Sequence, residues 1–295
     1  MDGSIPNILV IGASGRIGSR LVKELDGLGD HVAVRLASSS DKSVQKWKSE
    51  GRDAVRLDLN DPDTLAPALD GADRVFLLTP YTADMLVQSK HVVDAAKDAG
   101  VKHIVHLGVF TSRRDPIPHF IWHDFIETYI EASGIAWTHL HPNVIAESYL
   151  VQNPPITETG SFNVMCGDAV QGWISADDIA AVAAKVLADG PDVHAGQEYW
   201  MSTELLTGPQ AAEIISNETG TSVTCNAMPP EALAHYVASI EDTSVRAYME
   251  SAVITMKRMA SGDFKPQTVV RDDVAKVLGR PGMTVAEWAR RNLKP

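Results

Sequence analysis

Asn7–Ile11 (NILVI) runs directly into Gly12–Gly18 (GASGRIG), and Ser19–Leu28 follows with apolar residues at 21, 22, 25 and 28. The first run is too short for a helix and rich in β-branched residues, so it reads as a buried strand. The last run has helical spacing. A glycine triplet between a strand and a helix has a mechanical reason at each position. One makes the tight turn, one lets the backbone approach a pyrophosphate, and one lets helix and strand pack closely. Gly12, Ser14, Gly15, Arg16, Ile17 and Gly18 are therefore the first candidate dinucleotide-binding residues, with the pyrophosphate on the free N–H groups of the helix start.

Outward from this unit the chain keeps alternating. Strands are expected at His31–Leu36, Ala54–Leu59, Arg74–Thr79, Lys102–Leu107 and Ala136–Leu140. Helices are expected between them at Asp41–Glu50, from Asp61-Pro62 to near Gly71, at 84–99 and at 119–132, the last two closed by Gly100 and Gly134. Six alternations with short connections specify an α/β fold with a doubly wound parallel sheet (Rossmann). The dinucleotide-binding domain is expected over 5–150, with 172–204 returning to it. Residues 205–295 are expected to form a smaller, mostly helical lobe over the substrate, ending in a capping box at Thr284–Glu287.

The end of the second strand bears on cofactor choice. An acid there bonds the ribose 2′-hydroxyl of NAD(H), but this chain has Arg35 and then no acid before Asp41. An arginine can pair with a 2′-phosphate, so NADP(H) is the expected cofactor and NAD(H) the alternative, with Arg16 as an assistant. A solvated charge at the strand end is the competing reading of Arg35. Asp58, with Leu59 beside it, ends the third strand and is a candidate for the adenine side or a loop cap.

No tyrosine is followed four residues later by a lysine, and neither H-E-x-x-H nor G-x-S-x-G occurs. The Tyr-Lys acid/base pair of most short-chain dehydrogenases is thus absent. The ten histidines are scattered without metal-ligand spacing, and no metal is expected.

These motifs together resemble the NmrA-like family of atypical short-chain dehydrogenases/reductases, a group that takes in NAD(P)H:quinone oxidoreductase-like proteins and triphenylmethane reductase. The resemblance rests on Gly12–Gly18, Val34-Arg35, Asp58 with Asp61-Pro62, Ala99–His103 (AGVKH), Ser133–Thr138 (SGIAWT), Pro142-Asn143 and Asp177–Ala180 (DDIA). It implies a cofactor cleft that adds Leu78, Thr79, Pro80, Gly108, Val109, Pro142 and Asn143. It also implies a family divided between reductases and regulators that sense dinucleotides. The chain departs from the pattern where some relatives carry a lysine, at Phe125, and where an arginine precedes Pro142, at His141. His123 resembles a histidine that several relatives keep.

Hydride transfer to a quinone, conjugated carbonyl or imine-like carbon needs no Tyr-Lys pair, because the reduced product is stabilised by delocalisation. His123 is the first candidate proton donor, since an ordinary imidazole titrates near pH 6.5. His119 lies one helical turn earlier on the same face, and Tyr81 and Tyr149 are candidates to bond substrate or to pack. The expected function is a reductase of a small apolar acceptor, with a non-catalytic redox sensor as the alternative.

The net charge of -12 argues against a phosphate-backbone binder. Two cysteines make no disulfide framework, and no apolar run is long enough for a membrane span. The partner expected is a small molecule, with no nucleic acid and no membrane, in a cytoplasmic protein. Helices 84–99 and 119–132 offer a face for a homodimer.

Overall fold

The computed structural model describes residues 5–112 and 114–293. The glycine unit forms as expected. Strand β1 (Asn7–Val10) leads through the turn into helix α1 (Arg16–Asp26), followed by β2 (Ala33–Ser38), α2 (Asp41–Ser49), β3 (Ala54–Arg56) and the short α3 (Leu65–Leu69). Then come β4 (Arg74–Leu77), α4 (Met85–Asp98), β5 (His103–Leu107), α5 (Pro118–Ser133), β6 (Ala136–Pro142), α6 (Ala176–Asp189), β7 (Gln197–Ser202), α7 (Gly208–Thr219), α8 (Thr243–Ala260) and β8 (Arg271–Asp272).

The main sheet has the order β8-β7-β6-β5-β4-β1-β2-β3. Every neighbouring pair is parallel except β7 with β8. The order reverses between β1 and β4, so a crevice opens there at the carboxyl ends of the strands. Strands buried on both sides read as continuous apolar runs. On one face Ile17, Leu21 and Leu25 of α1 pack with Ile179, Ala183 and Val186 of α6. On the other, Leu65 and Leu69 of α3 join Val92 and Ala96 of α4 and Ile126 and Ile130 of α5.

Local signals set the ends of these helices. Gly134 closes α5 at φ 84° and Ser175 caps α6 by accepting the Asp178 N–H. The Thr284–Glu287 capping box is present, starting a final helix at Val285–Asn292. A third apolar cluster, including Phe162, Trp173, Ile215 and Trp288, forms the core of the remaining lobe.

Several expectations of extent change. The third strand ends at Arg56 rather than Leu59 and the fourth at Leu77 rather than Thr79. The second strand runs to Ser38 rather than Leu36, because Leu36, Ala37 and Ser38 stay buried and pair on with β3. Of the segment 172–204, the strand Gln171–Ile174 joins a small separate sheet with Val144–Ile145 and Glu204–Leu206. Residues 197–202 do enter the main sheet as β7, and β8 is supplied by the stretch expected only to cover it. No helix among the described residues is long and apolar enough to cross a membrane.

Candidate active site

Gly12 sits at φ 72°, a left-handed conformation open to glycine at little cost. Gly15 N–H donates to Gly12 O at 2.9 Å and caps α1. A Cβ on Gly18 would stand 2.1 Å from Gly12 O, so helix and turn touch where a side chain has no room. The first turn of α1 carries no acid, which leaves its positive end available to an anion. This cradle fits a pyrophosphate. Ile17 is buried beneath it, and Ser14 Oγ lies 3.5 Å from Ser38 Oγ at the end of β2.

Arg35 is not at that strand end. Its Nε donates to Asp53 at 2.9 Å and its Nη1 to the carbonyl oxygens of Ala68 and Asp70 at the close of α3. The guanidinium is thus engaged three residues before β2 finishes, because the strand is longer than the sequence suggests. The cation beside the strand end is Arg56, the register partner of Ser38. It lies 3.6, 3.7 and 3.5 Å from Asp41, Asp58 and Asp61. Asp58 also accepts the Asn60 N–H at 3.0 Å, and Leu59 packs against the core.

Beyond the turn, a cavity of about 480 Å³ opens over the carboxyl ends of β4, β5 and β6. The fold brings together here Leu78, Thr79, Pro80, Tyr81, Gly108, Val109, His119, His123, Pro142 and Asn143, all from the sequence reading. The turn adjoins the same space. A Cβ on Gly12 would contact Leu78 at 3.5 Å, and Arg16 Nη1 donates at 3.0 Å to Ser148 Oγ on the cavity wall. Asn143 lines the cavity with its amide committed elsewhere: Nδ2 donates to Ser202 Oγ and Gln267 O, and Oδ1 accepts the Val144 N–H.

The roof comes from the C-terminal lobe. Leu233, Tyr248, Met249, Ala252, Thr255 and Met256 cover the strand ends with apolar, adaptable surface. The Tyr248 ring lies 5.2 Å from Tyr81 and 4.9 Å from His119. Tyr149 donates its hydroxyl to Gln171 Oε1 at 3.1 Å. Phe125 is 60 % exposed and lines a separate groove with Leu86 and Tyr129, so the position of the missing lysine faces away from the cavity.

The two histidines differ from the sequence expectation in one respect. Burial pulls His119 down to about 4 and His123 down to about 3, the latter helped by the neighbouring imidazoles. Neither is protonated at neutral pH, so the ordinary-imidazole premise for a proton donor does not hold. His119 is held in place instead. Ser251 Oγ accepts the His119 backbone N–H at 3.0 Å and is hydrogen-bonded to Nδ1 at 2.6 Å. Sequence reasoning missed Arg56, Ser148, Tyr248 and Ser251; each is distant in sequence from the motifs, and only Arg56, two residues before Asp58, carried a local signal.

The chain matches the model of the NmrA-like family over residues 6–288. It is 31 % identical over 287 residues to the NAD(P)H azoreductase of Xenophilus azovorans, covering 96 % of each chain. Among solved structures it shares its fold with the Citrobacter sp. triphenylmethane reductase complexed with NADP(H), at 22 % identity and TM-score 0.77, covering 97 % of this chain and 99 % of that one. It is also similar in fold to NmrA, a negative transcriptional regulator, at 19 % identity and TM-score 0.74, covering 98 % of this chain and 96 % of that one. A turn, cleft and sheet of this kind, matched across nearly the whole chain, place the protein in a family: it belongs to the NmrA-like family.

Proposed function

We propose that this chain is an NAD(P)H-dependent oxidoreductase acting on a flat, apolar acceptor such as a quinone, a conjugated carbonyl or an imine-like carbon. The observation that carries the reading is the apolar cavity, which begins at the glycine turn and continues over the strand ends beneath a methionine-rich roof. Its volume of about 480 Å³ lies in the usual range for small-molecule sites. The name of the azoreductase relative supports the same class of chemistry.

The nicotinamide cofactor, when bound, supplies the hydride. The protein's part is to hold, orient and exclude water. The turn and α1 hold the pyrophosphate; Leu78–Pro80 and Gly108-Val109 form the floor, and residues 205–295 close over the acceptor. Neutral His119 lines the cavity beside Tyr248 and offers an acceptor heteroatom a hydrogen bond. With both histidines neutral, the proton that completes the reduction comes from solvent. The delocalised product of such acceptors tolerates that arrangement.

NADP(H) remains the preferred cofactor, now with Arg56 rather than Arg35 as the cation nearest the 2′-position. A second reading, a dinucleotide-sensing regulator, is favoured by the absence of any ordinary acid among the cavity histidines and by the fold likeness to NmrA. The deciding experiment is NADPH and NADH oxidation at varied acceptor, using quinones, azo dyes and triphenylmethane dyes. Acceptor-dependent turnover supports the reductase. Micromolar cofactor binding with no turnover on any of the three classes supports the regulator.

A further inference from the structure

The fold gathers histidines that are scattered in the sequence. His106 on β5 and His139 on β6 are register partners on adjacent parallel strands, so both side chains leave the face covered by α5. Both are fully buried. Glu127 descends from α5 and brings Oε1 to 3.9 Å from His106 Nδ1. It has room because residue 108 is glycine: a Cβ there would stand 2.5 Å from Glu127 Oε1.

One ligand atom from each of His106, Glu127 and His139 lies within 4.8 Å of the other two. Both ring nitrogens of His106 are buried with no hydrogen-bond partner among the described residues. A fully buried imidazole with two unused nitrogens is an unfavourable state that needs a physical explanation.

We propose that His106, Glu127 and His139 form a buried site for a divalent first-row transition ion of the Zn²⁺ and Co²⁺ class. Two imidazoles and one carboxylate suit such ions, whereas Mg²⁺ and Ca²⁺ prefer all-oxygen shells. Bonds of about 2.1 Å in a tetrahedral shell put ligand atoms roughly 3.4 Å apart. Closure around an ion therefore draws the three groups together by about an ångström, on the scale of a side-chain adjustment. A fourth position falls to solvent. A small cavity of about 20 Å³ bordered by Glu127, His141 and Glu198 has space for one water. Glu131 Oε1, 3.6 Å from His139 Nε2, adds negative charge beside the imidazoles. The site lies behind the wall of the larger cavity, with the His106 ring 5.7 Å from that of His123.

The test is a Co²⁺ titration of the chelator-stripped chain, read by visible absorption and calorimetry, followed by Zn²⁺ displacement. One equivalent of Co²⁺ is expected to bind with the bands of a four-coordinate ion. Glu127→Gln, which keeps the side-chain volume, is expected to weaken Co²⁺ at least tenfold. His106→Leu is expected to abolish the bands while circular dichroism reports the fold. If wild type shows no saturable uptake of one equivalent, the site does not exist. If Glu127→Gln keeps the wild-type bands and affinity, the ion sits elsewhere and the proposal is overturned. These two outcomes decide it even if His106→Leu does not fold.

Discussion

Ser251 Oγ lies 2.6 Å from His119 Nδ1 and 3.0 Å from the backbone nitrogen of the same residue. One hydroxyl on α8 thereby meets two groups on α5. The contact joins residues 132 positions apart in the chain, so the setting of a cavity imidazole depends on how the lobe docks.

Removing that hydroxyl separates orientation from cofactor binding. Ser251→Ala leaves a buried N–H without its partner, a loss of about 1–3 kcal/mol in stability. It also releases the imidazole from its Nδ1 contact. Turnover is expected to fall about tenfold, roughly 1.4 kcal/mol in the barrier, with dinucleotide affinity little changed. Steady-state kinetics beside a fluorescence titration of NADPH check this; parallel losses of affinity and turnover would assign Ser251 a purely architectural role.

The glycine turn gives a second expectation. Gly18→Ala inserts a methyl group 2.1 Å from Gly12 O, a separation that no rotamer relieves, so α1 must move off the turn. NADPH binding is expected to weaken by more than tenfold, with a lowered melting temperature. Gly15→Val meets Gly12 O as well, where even a Cβ comes to 3.1 Å, and is expected to lose binding with a smaller effect on the fold. Retained binding in both variants would move the pyrophosphate site away from this turn.

Cofactor selectivity distinguishes two arginines. Arg56→Ala is expected to weaken NADPH roughly tenfold and NADH hardly at all, in keeping with one charge-assisted contact. Arg35→Ala removes bonds to Asp53, Ala68 and Asp70. Its expected effect is a lower melting temperature, with equal changes for the two cofactors. Paired Kd measurements on the two variants read this directly, and the opposite pattern would return the 2′-phosphate to Arg35.

Buried histidines set an acid limit on stability. His103 and His119 are drawn down to about 4 and His123 to about 3, in each case first by burial. Their folded values lie below the ordinary value near 6.5, so the unfolded chain takes up protons first. The stability they contribute is fully present above about pH 6.5 and is lost as the pH falls towards 4, at up to about 1.4 kcal/mol per unit for each group. Urea midpoints measured from pH 7.5 to 4.5 are expected to decline steeply below 6.5. A flat profile across that range would mean these imidazoles take up protons in the native state as readily as in the unfolded chain.

The fold was legible because each strand–turn–helix unit carries its own signals: the glycine triplet, Asp61-Pro62, Gly100, Gly134. The cavity floor was implied by the family resemblance, and Leu78–Pro80, Gly108-Val109 and Pro142-Asn143 do all stand at or just beyond strand ends. Strand length was less legible. Ser38-Ser39-Ser40 reads as loop, yet Ser38 is held in β2 by pairing with Arg56 on β3, and this displaced Arg35 from the role assigned to it. The roof was legible only as a helical lobe expected to cover the substrate, not in the residues that make it. Tyr248 and Ser251 sit on an amphipathic helix whose sequence says only that one face is covered. The histidine protonation states were hidden for the same reason, because burial comes from several elements and no local window contains it.

The outermost strand of the main sheet, Arg271–Asp272, pairs antiparallel with Met201 and Ser202, and Asp273 just after it accepts the Trp200 N–H at 2.7 Å. The edge of the nucleotide-binding sheet is thus sealed by chain made well after β7. A nascent chain that has already finished its glycine turn and six central strands still carries an open β7 edge until residue 272 emerges. During that interval the edge is a template for mispairing with other chains. Circular permutants or fragments ending before this strand inherit the same exposed edge, which makes Arg271–Asp272 a guard against aggregation as well as part of the lobe.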